Sequence, residues 1–364
     1  MATFEVEPLA DGVRWIRGVM PDNVMFKPDI ANAYIIERGD GVTIVDTGAG
    51  TEFRQVLRRY FAGRSYTSAT VINTHFHPDH VCNNIVLDEI DAQQKMHLIH
   101  PNAVPLIDLA ELVAHEVRLS AAQEYWVVKI DRPFALKVGS AVARAWVRRW
   151  PRSAHRFVFP IFGRLNIHKH KPIGSRTRHI APLNAEDRRA LRIGSQEFQG
   201  WRAGDMLIID DHGHTADSVS VYDTGSRMLL TGDLTFEDNP LWPSGTYGRM
   251  IANLRALRTL AAEGEVGLFG DGHLPRVMTD SAEMVAHFDA LIATHERRRA
   301  AVLDVARRHN LHTVDDVQRA LLAENTEFQQ LSRAGEFPMA YRWTRAIVAL
   351  ALREAREEQA SDAT

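Results

Sequence analysis

Residues 69–80 read Ala69-Thr70-Val71-Ile72-Asn73-Thr74-His75-Phe76-His77-Pro78-Asp79-His80. The first five form a largely apolar run that predicts a buried strand. His75 and His77, which are separated by one residue, come shortly after it, and the adjacent pair Asp79 and His80 comes next. On a loop that leaves a strand, His75 and His77 project to the same side, so both can reach one metal ion at about 2.0–2.1 Å. Asp79 and His80 cannot easily point to that ion and suit a neighbouring one.

Three further metal-binding side chains stand farther along the chain, each after another strand-like run. They are His214 in Gly213-His214-Thr215, Asp233 after Leu229-Leu230-Thr231-Gly232, and His273 after Phe269-Gly270-Asp271-Gly272. Any one of these motifs alone is more typical of a turn. Their succession in this order, after the histidine-rich stretch, predicts one site.

The spacing predicts two ligand groups. His214 is expected to join His75 and His77, and His273 to join Asp79 and His80. Asp233, whose carboxylate has two oxygens, is expected to bridge them. Three protein ligands per ion leave a position open for water, which is typical of catalytic sites; structural zinc sites are closed and usually thiolate-rich. The chain has a single cysteine, Cys82, so a thiolate zinc cluster is excluded.

The composition restricts the classes of protein that fit. The chain has 364 residues and a net charge of −3, so nothing global indicates a nucleic-acid-binding protein. The single cysteine fits a reducing compartment, and the N-terminus lacks the pattern of a secretory signal. These features predict a cytoplasmic protein with a small-molecule partner.

The chain divides into four predicted regions. Residues 1–101 and 196–280 alternate strand-like runs with short helices, as in a layered α/β domain. Residues 102–195 are rich in arginine and aromatic residues, and we interpret them as a mainly helical insertion. Residues 281–364 have helical patterns throughout. The insertion is a candidate lid or, less favoured, a membrane-surface element; the C-terminal helices are a candidate cap or homodimer surface.

The motifs resemble those of the metallo-β-lactamase-fold superfamily, whose signature is His-x-His-x-Asp-His. The similarity extends to Asp46-Thr47-Gly48 and to Asp217-Ser218, and it covers about residues 12–100 and 201–275. It implies an αββα sandwich with the metals at one edge. It also implies that Asp46 orients the ligand loop without binding metal. Asp233 is a departure from true β-lactamases, which lack a bridging carboxylate, so antibiotic hydrolysis is disfavoured.

The resemblance and the ligand pattern together predict a metal-dependent hydrolase. A metal-bridging hydroxide, formed near neutral pH, would cleave an ester, lactone, thioester or related bond. Asp79 would orient it or pass its proton, and Asp233 would hold both metals. Two zinc ions are the first expectation, with iron or manganese as alternatives. Trp242 and Tyr247 follow the bridging aspartate and are candidate substrate contacts.

Two other functions stay open at the level of sequence. Some relatives use residues like His75, His214 and Asp233 to hold one iron and oxidise sulfur substrates with dioxygen. A phosphodiesterase or nuclease is the other alternative, kept open by the arginine-rich insertion.

Overall fold

The computed structural model of the protein describes residues 4–19, 30–107, 175–235, 244–334 and 339–362. Residues 108–174, which hold most of the predicted insertion, lie outside these ranges, as does Trp242. The lid interpretation of the insertion therefore stays a prediction. No helix among the described residues is long and apolar enough to cross a membrane.

The first sheet is built from the N-terminal half of the chain. It has seven strands. The neighbouring pairs from the first to the fourth strand are antiparallel, and those from the fourth to the seventh are parallel. In spatial order the strands are β1 (Val6–Ala10), β2 (Val13–Ile16), β3 (Ala33–Arg38), β4 (Gly41–Val45), β5 (Ser65–Ile72), β6 (Asp91–Ile99) and β7 (Ile180–Pro182).

The second sheet follows directly along the chain. Its strand pairs are antiparallel except for the last, β12 with β13. The strands are β8 (Arg189–Ile193), β9 (Gln196–Ala203), β10 (Met206–Asp210), β11 (Val219–Asp223), β12 (Met228–Leu230) and β13 (Leu268–Gly270), in that spatial order.

Helices cover the outer face of each sheet. Against the first sheet lie α1 (Thr51–Phe61) and α3 (Val86–Glu89), and α2 (Pro78–Val81) lies in the ligand loop. Against the second sheet lie α4 (Tyr247–Ala262) and the C-terminal helices. These are α5 (Ser281–Arg308), α6 (Val314–Glu324), α7 (Thr326–Ala334) and α8 (Met339–Asp362).

Side-chain alternation along the strands explains the layers. In β3, Tyr34 and Ile36 face the second sheet, whereas Ile35 faces α1. In β10, Ile208 packs between the sheets and Ile209 packs under the helices. Since successive side chains of a strand point to opposite faces, each sheet buries both faces. The predicted αββα sandwich and the helical C-terminal region are confirmed.

The sheets resume earlier than the sequence pattern predicts. Strands β7 and β8 and the short 3₁₀ helix Ala185–Asp187 lie within residues 102–195, the segment interpreted as a mainly helical insertion. For residues 108–174, outside the described ranges, that interpretation stays a prediction. The sequence of β8, Arg189-Ala190-Leu191-Arg192-Ile193, explains why this strand is hard to predict. Only Leu191 and Ile193 are buried, and the charged side chains of Arg189 and Arg192 point to solvent at a sheet edge.

Candidate metal centre

The loop after β5 presents the first four candidate ligands. The strand ends at Ile72, and Pro78 occupies the first turn of α2, where its missing N–H leaves no helical bond unmade. His75 and His77 therefore precede the helix, with His77 on extended backbone, while Asp79 and His80 lie on one helical turn. This change of backbone geometry directs the two pairs to different places, as the sequence predicts.

Buried polar side chains hold this loop in position. Asn84 donates from Nδ2 to Asn73 Oδ1 at 2.7 Å, and Asn73 donates back to Asn84 Oδ1 at 3.1 Å. Thr47 Oγ1 donates to Asn84 Oδ1 at 2.8 Å, and His97 Nε2 lies 2.6 Å from Asn73 Oδ1. These residues link β4, β5 and β6 beneath the loop. The motif gives no signal for their role, because their partners are distant in sequence.

The loop that carries His214 is shaped by its own side chains. Asp211 Oδ1 accepts the Gly213 N–H at 3.1 Å, and Asp211 Oδ2 accepts the Ser220 hydroxyl at 2.7 Å. Ser218 Oγ accepts the Thr215 N–H at 2.9 Å. The turn between β10 and β11 is thereby closed around His214.

The first ligand group consists of His75, His77, His214 and Asp233, all buried. His77 Nδ1 lies 2.8 Å from His75 Nε2 and 3.3 Å from His214 Nε2. Asp233 Oδ2 lies 3.7 Å from His75 Nε2 and 3.8 Å from His214 Nε2. Two ligands bound to a tetrahedral ion at 2.0–2.1 Å lie about 3.3 Å apart, so these separations suit one ion.

The second group consists of Asp79, His80, His273 and the same Asp233. His80 Nε2 lies 3.1 Å from Asp233 Oδ1 and 3.5 Å from Asp79 Oδ2. His273 Nε2 lies 3.3 Å from Asp79 Oδ2 and 3.4 Å from Asp233 Oδ1. These separations also suit one ion.

Asp233 faces both groups with different atoms. Oδ2 points to the first group and Oδ1 to the second. The Oδ1 atom and His80 Nε2 are buried without a hydrogen-bond partner. Unpaired buried polar atoms are costly, and two cations would satisfy them. The donor set of histidine nitrogens and carboxylate oxygens thus fits two divalent ions with a shared carboxylate.

Asp46 supports the second group from behind, where the resemblance implied it would lie. Its Oδ2 lies 2.8 Å from His80 Nδ1 and accepts the Thr74 hydroxyl at 2.7 Å; its Oδ1 accepts the Thr74 N–H at 2.9 Å. With Nδ1 of His80 donating to Asp46, Nε2 keeps its lone pair for an ion. The Thr74 hydroxyl also lies 3.1 Å from His75 Nδ1. Asp46 is therefore linked to the first group through Thr74, and it contacts the second group directly through His80.

The electrostatics of the two groups differ. Burial lowers the pKa of His77 to about 3 and of His214 to about 4, so both imidazoles are neutral. Burial acts in the same direction on His273, but the carboxylates of Asp233 and Asp79 outweigh it and raise its pKa to about 10. The His77 and His214 imidazoles are therefore neutral donors, whereas His273 favours its protonated form, and an ion bound there would displace that proton.

Of the two predicted substrate contacts, only Tyr247 lies within the described residues. Tyr247 is fully buried at the start of α4, with its ring 6.1 Å from that of His295. This position gives no support to a substrate contact, which stays a prediction, as it does for Trp242. Cys82 is buried, and burial raises the pKa of its thiol, which agrees with a packing role.

Comparisons with known proteins agree with this geometry. A family model described as the metallo-beta-lactamase superfamily matches residues 26–98 and 135–307. The chain is similar to the solved structure of a metallo-beta-lactamase family protein from Thermus thermophilus, at 20% identity and a TM-score of 0.50, over 96% of this chain and 95% of that one. It is also similar to a double mutant of the sec-alkyl sulfatase PisA1, at 13% identity and a TM-score of 0.52, over 97% of this chain but 50% of that one. At such identities the likeness concerns the fold alone. No match is found among curated protein sequences.

Proposed function

The chain belongs to the metallo-β-lactamase superfamily, and from that membership we propose that it is a dinuclear metal-dependent hydrolase of a partly apolar small molecule. The observation that carries the proposal is the position of Asp233. Each of its carboxylate oxygens faces a separate group of buried ligand atoms spaced for one ion. Zinc is the favoured metal because the donor set is rich in histidine, and iron and manganese accept the same donors.

The metals would supply the nucleophile, and the chain's own residues would position the reaction. Divalent ions held by these residues would lower the pKa of a bound water to about 7 and polarise the substrate oxygen. The side chain of Asp79 is 19% exposed, whereas that of Asp233, the other ligand carboxylate, is 4% exposed. Asp79 is therefore the ligand carboxylate best placed to hold or pass a proton on the solvent side.

A cavity beside His273 supports a small-molecule substrate. It has a volume of about 560 Å³, within the usual range for ligand pockets. Phe4, Ile30 and Leu274 supply apolar walls, and Arg17, Glu5 and Glu7 supply charges of both signs. We expect the substrate to be a molecule of this size that contains an ester, lactone, thioester or related bond.

Metal content and turnover test the proposal together. Protein produced without added metal should contain about two zinc ions per chain by elemental mass spectrometry. It should turn over one class in a panel of lactone, thioester, carboxylate ester, phosphodiester, alkyl sulfate and cephalosporin substrates. Asp233→Asn should lose both metal retention and turnover, while the exposed control Asp205→Asn should keep both.

The alternative function gives a different pattern. A sulfur dioxygenase would retain one iron per chain, consume oxygen with a persulfide and hydrolyse none of the panel. Either that result or full activity of metal-free Asp233→Asn protein would reject the proposed function as a metal-dependent hydrolase.

A further inference from the structure

A third group of histidine and carboxylate side chains lies outside the seven-residue centre. His100 directly follows β6 of the first sheet, and Asp210 ends β10 of the second sheet. His212 lies two residues beyond Asp210. The group therefore joins the ends of two strands that belong to different sheets.

The three side chains converge on one carboxylate oxygen. His100 Nε2 lies 3.6 Å from Asp210 Oδ1, and His212 Nε2 contacts the same oxygen. The imidazole rings of His100 and His212 meet edge to face, with centroids 5.1 Å apart. One ligand atom from each residue lies within 4.8 Å of the other two, a spacing that one ion can span.

Two of these ligand atoms are buried and lack hydrogen bonds. Asp210 Oδ1 and His212 Nε2 have no partner of hydrogen-bonding geometry, although Asp210 is only 9% exposed. The other oxygen of Asp210 is occupied, because Arg188 Nη2 lies 2.7 Å from Oδ2. A buried carboxylate oxygen whose only close contact, with His212 Nε2, lacks hydrogen-bonding geometry is unfavourable. A cation between the two imidazoles would satisfy it.

The backbone at His212 is held in an unusual conformation. Its φ is +49°, in the left-handed region that non-glycine residues rarely adopt. Such a conformation persists only where surrounding contacts impose it. It lets one short loop present His212 to Asp210 and His214 to the first ligand group.

We propose that His100, Asp210 and His212 form a third divalent-metal site, separate from the dinuclear centre, that ties the end of β6 to the end of β10. Two imidazole nitrogens and one carboxylate oxygen suit Zn²⁺ or Cu²⁺, with water completing the coordination. The site binds more weakly than the dinuclear centre for two reasons. The Arg188 guanidinium lies beside Asp210, and His100 Nδ1 accepts the Asn102 N–H at 3.2 Å, a bond that is lost when Nε2 binds an ion.

Zinc uptake by His212→Gly tests the site. Glycine adopts a positive φ without strain, so this variant removes a ligand and keeps the turn. Wild type and variant are dialysed against a series of buffered free Zn²⁺ concentrations, and bound zinc is measured by elemental mass spectrometry. At saturation the wild type should hold one zinc ion more per chain than the variant.

Two further variants test whether the lost ion belongs to this site. His100→Gln removes a second ligand from another strand and should lose the same single ion, which covers the case in which His212→Gly folds poorly. The control His179→Ala removes a histidine that faces a lone carboxylate, that of Asp88, at 3.7 Å. It should bind as much zinc as the wild type.

The third site is separable from the dinuclear centre. Asp233→Asn should still take up the additional ion, and anomalous scattering at the zinc edge should place it between His100 and His212. Equal uptake by the wild type, His212→Gly and His100→Gln would overturn the proposal, whatever the dinuclear centre binds.

Discussion

Asp46 is the residue on which the orientation of His80 depends. It binds the ring nitrogen opposite the ligand atom and fixes Thr74 at the same time. Its own backbone has a φ of +56°, a conformation that asparagine tolerates as well as aspartate does. The contribution of its charge can therefore be tested without disturbing the turn.

Asp46→Asn should selectively weaken metal binding at the second group. The amide removes a negative charge and half of the acceptor capacity facing His80 and Thr74. The loss of such a supporting carboxylate typically weakens metal affinity by about 10–100-fold. Chelator competition should show a variant that holds one ion where the wild type holds two. Asp40→Asn, in an exposed turn, is the control, and unchanged affinity in both variants would contradict the role given to Asp46.

Gly272 shows how closely the backbone approaches the Asp233 carboxylate. A Cβ added there would lie 2.4 Å from Asp233 Oδ1 and 2.7 Å from His80 Cε1. Gly272→Ala should therefore displace Asp233 and abolish retention of metal at the second group. Because both clashing groups are side chains of the site, thermal unfolding of the metal-free protein should change little. Gly248→Ala, where the nearest atom is 3.7 Å away, is the control. A variant that retains both metals would show that the ligands can shift without loss.

At the scale of elements, one helix supplies the N-terminal cap of another. Helix α4 begins after Thr246, whose side chain makes no capping bond. Glu354 of α8 accepts the Tyr247 N–H at 2.6 Å and the Gly248 N–H at 3.1 Å. Since the Thr246 N–H donates to the Gly213 carbonyl, this cap also fixes the start of α4 against the His214 loop.

Glu354→Ala should lower the free energy of unfolding by about 1–2 kcal/mol, because it removes two capping bonds and a negative charge from a helix N-terminus. Urea denaturation of the metal-free protein measures the change. Glu357→Ala removes a largely exposed carboxylate one turn away and should change stability by no more than about 0.5 kcal/mol. Equal effects in the two variants would show that Glu354 does not cap α4.

A buried histidine makes the free energy of unfolding of the whole molecule depend on pH. His295 of α5 is 1% exposed, and both of its ring nitrogens lack hydrogen-bond partners. Burial, assisted by the nearby Arg298 charge, lowers its pKa to about 3. The folded protein therefore keeps His295 neutral, whereas the unfolded chain protonates it below about pH 6.5. Its contribution to stability is present above pH 6.5 and is lost as the pH falls toward 3.

His295→Leu should reduce the acid sensitivity of the protein. Between pH 7 and pH 5, the protonation of one such histidine in the unfolded chain removes about 2 kcal/mol of stability. The difference in unfolding free energy between these two pH values should shrink by that amount in the variant. His309→Leu, at the exposed end of the same helix, is the control. The assignment fails if the pH dependence of His295→Leu matches that of the wild type.

The sequence predicted what local patterns encode. The seven candidate ligands were predicted because they follow strand-like runs, and Asp233 was predicted to be a bridge because a carboxylate has two oxygens. The contacts that depend on distant partners were not predictable. Asn84 beneath the ligand loop and Glu354 on α4 gain their roles only when separate elements pack together. The edge strand β8 was also missed, because its charged outer face resembles a solvated helix.

The order in which the ligands occur along the chain has a consequence for how the protein is made. During translation, the stretch from His75 to His80 leaves the ribosome well before Asp233 and His273 are synthesised. Until then, neither candidate ligand group is complete, because both include Asp233. If the centre holds metal as proposed, its loading would follow completion of the second sheet. The finished fold, rather than the nascent chain, would then select the ion.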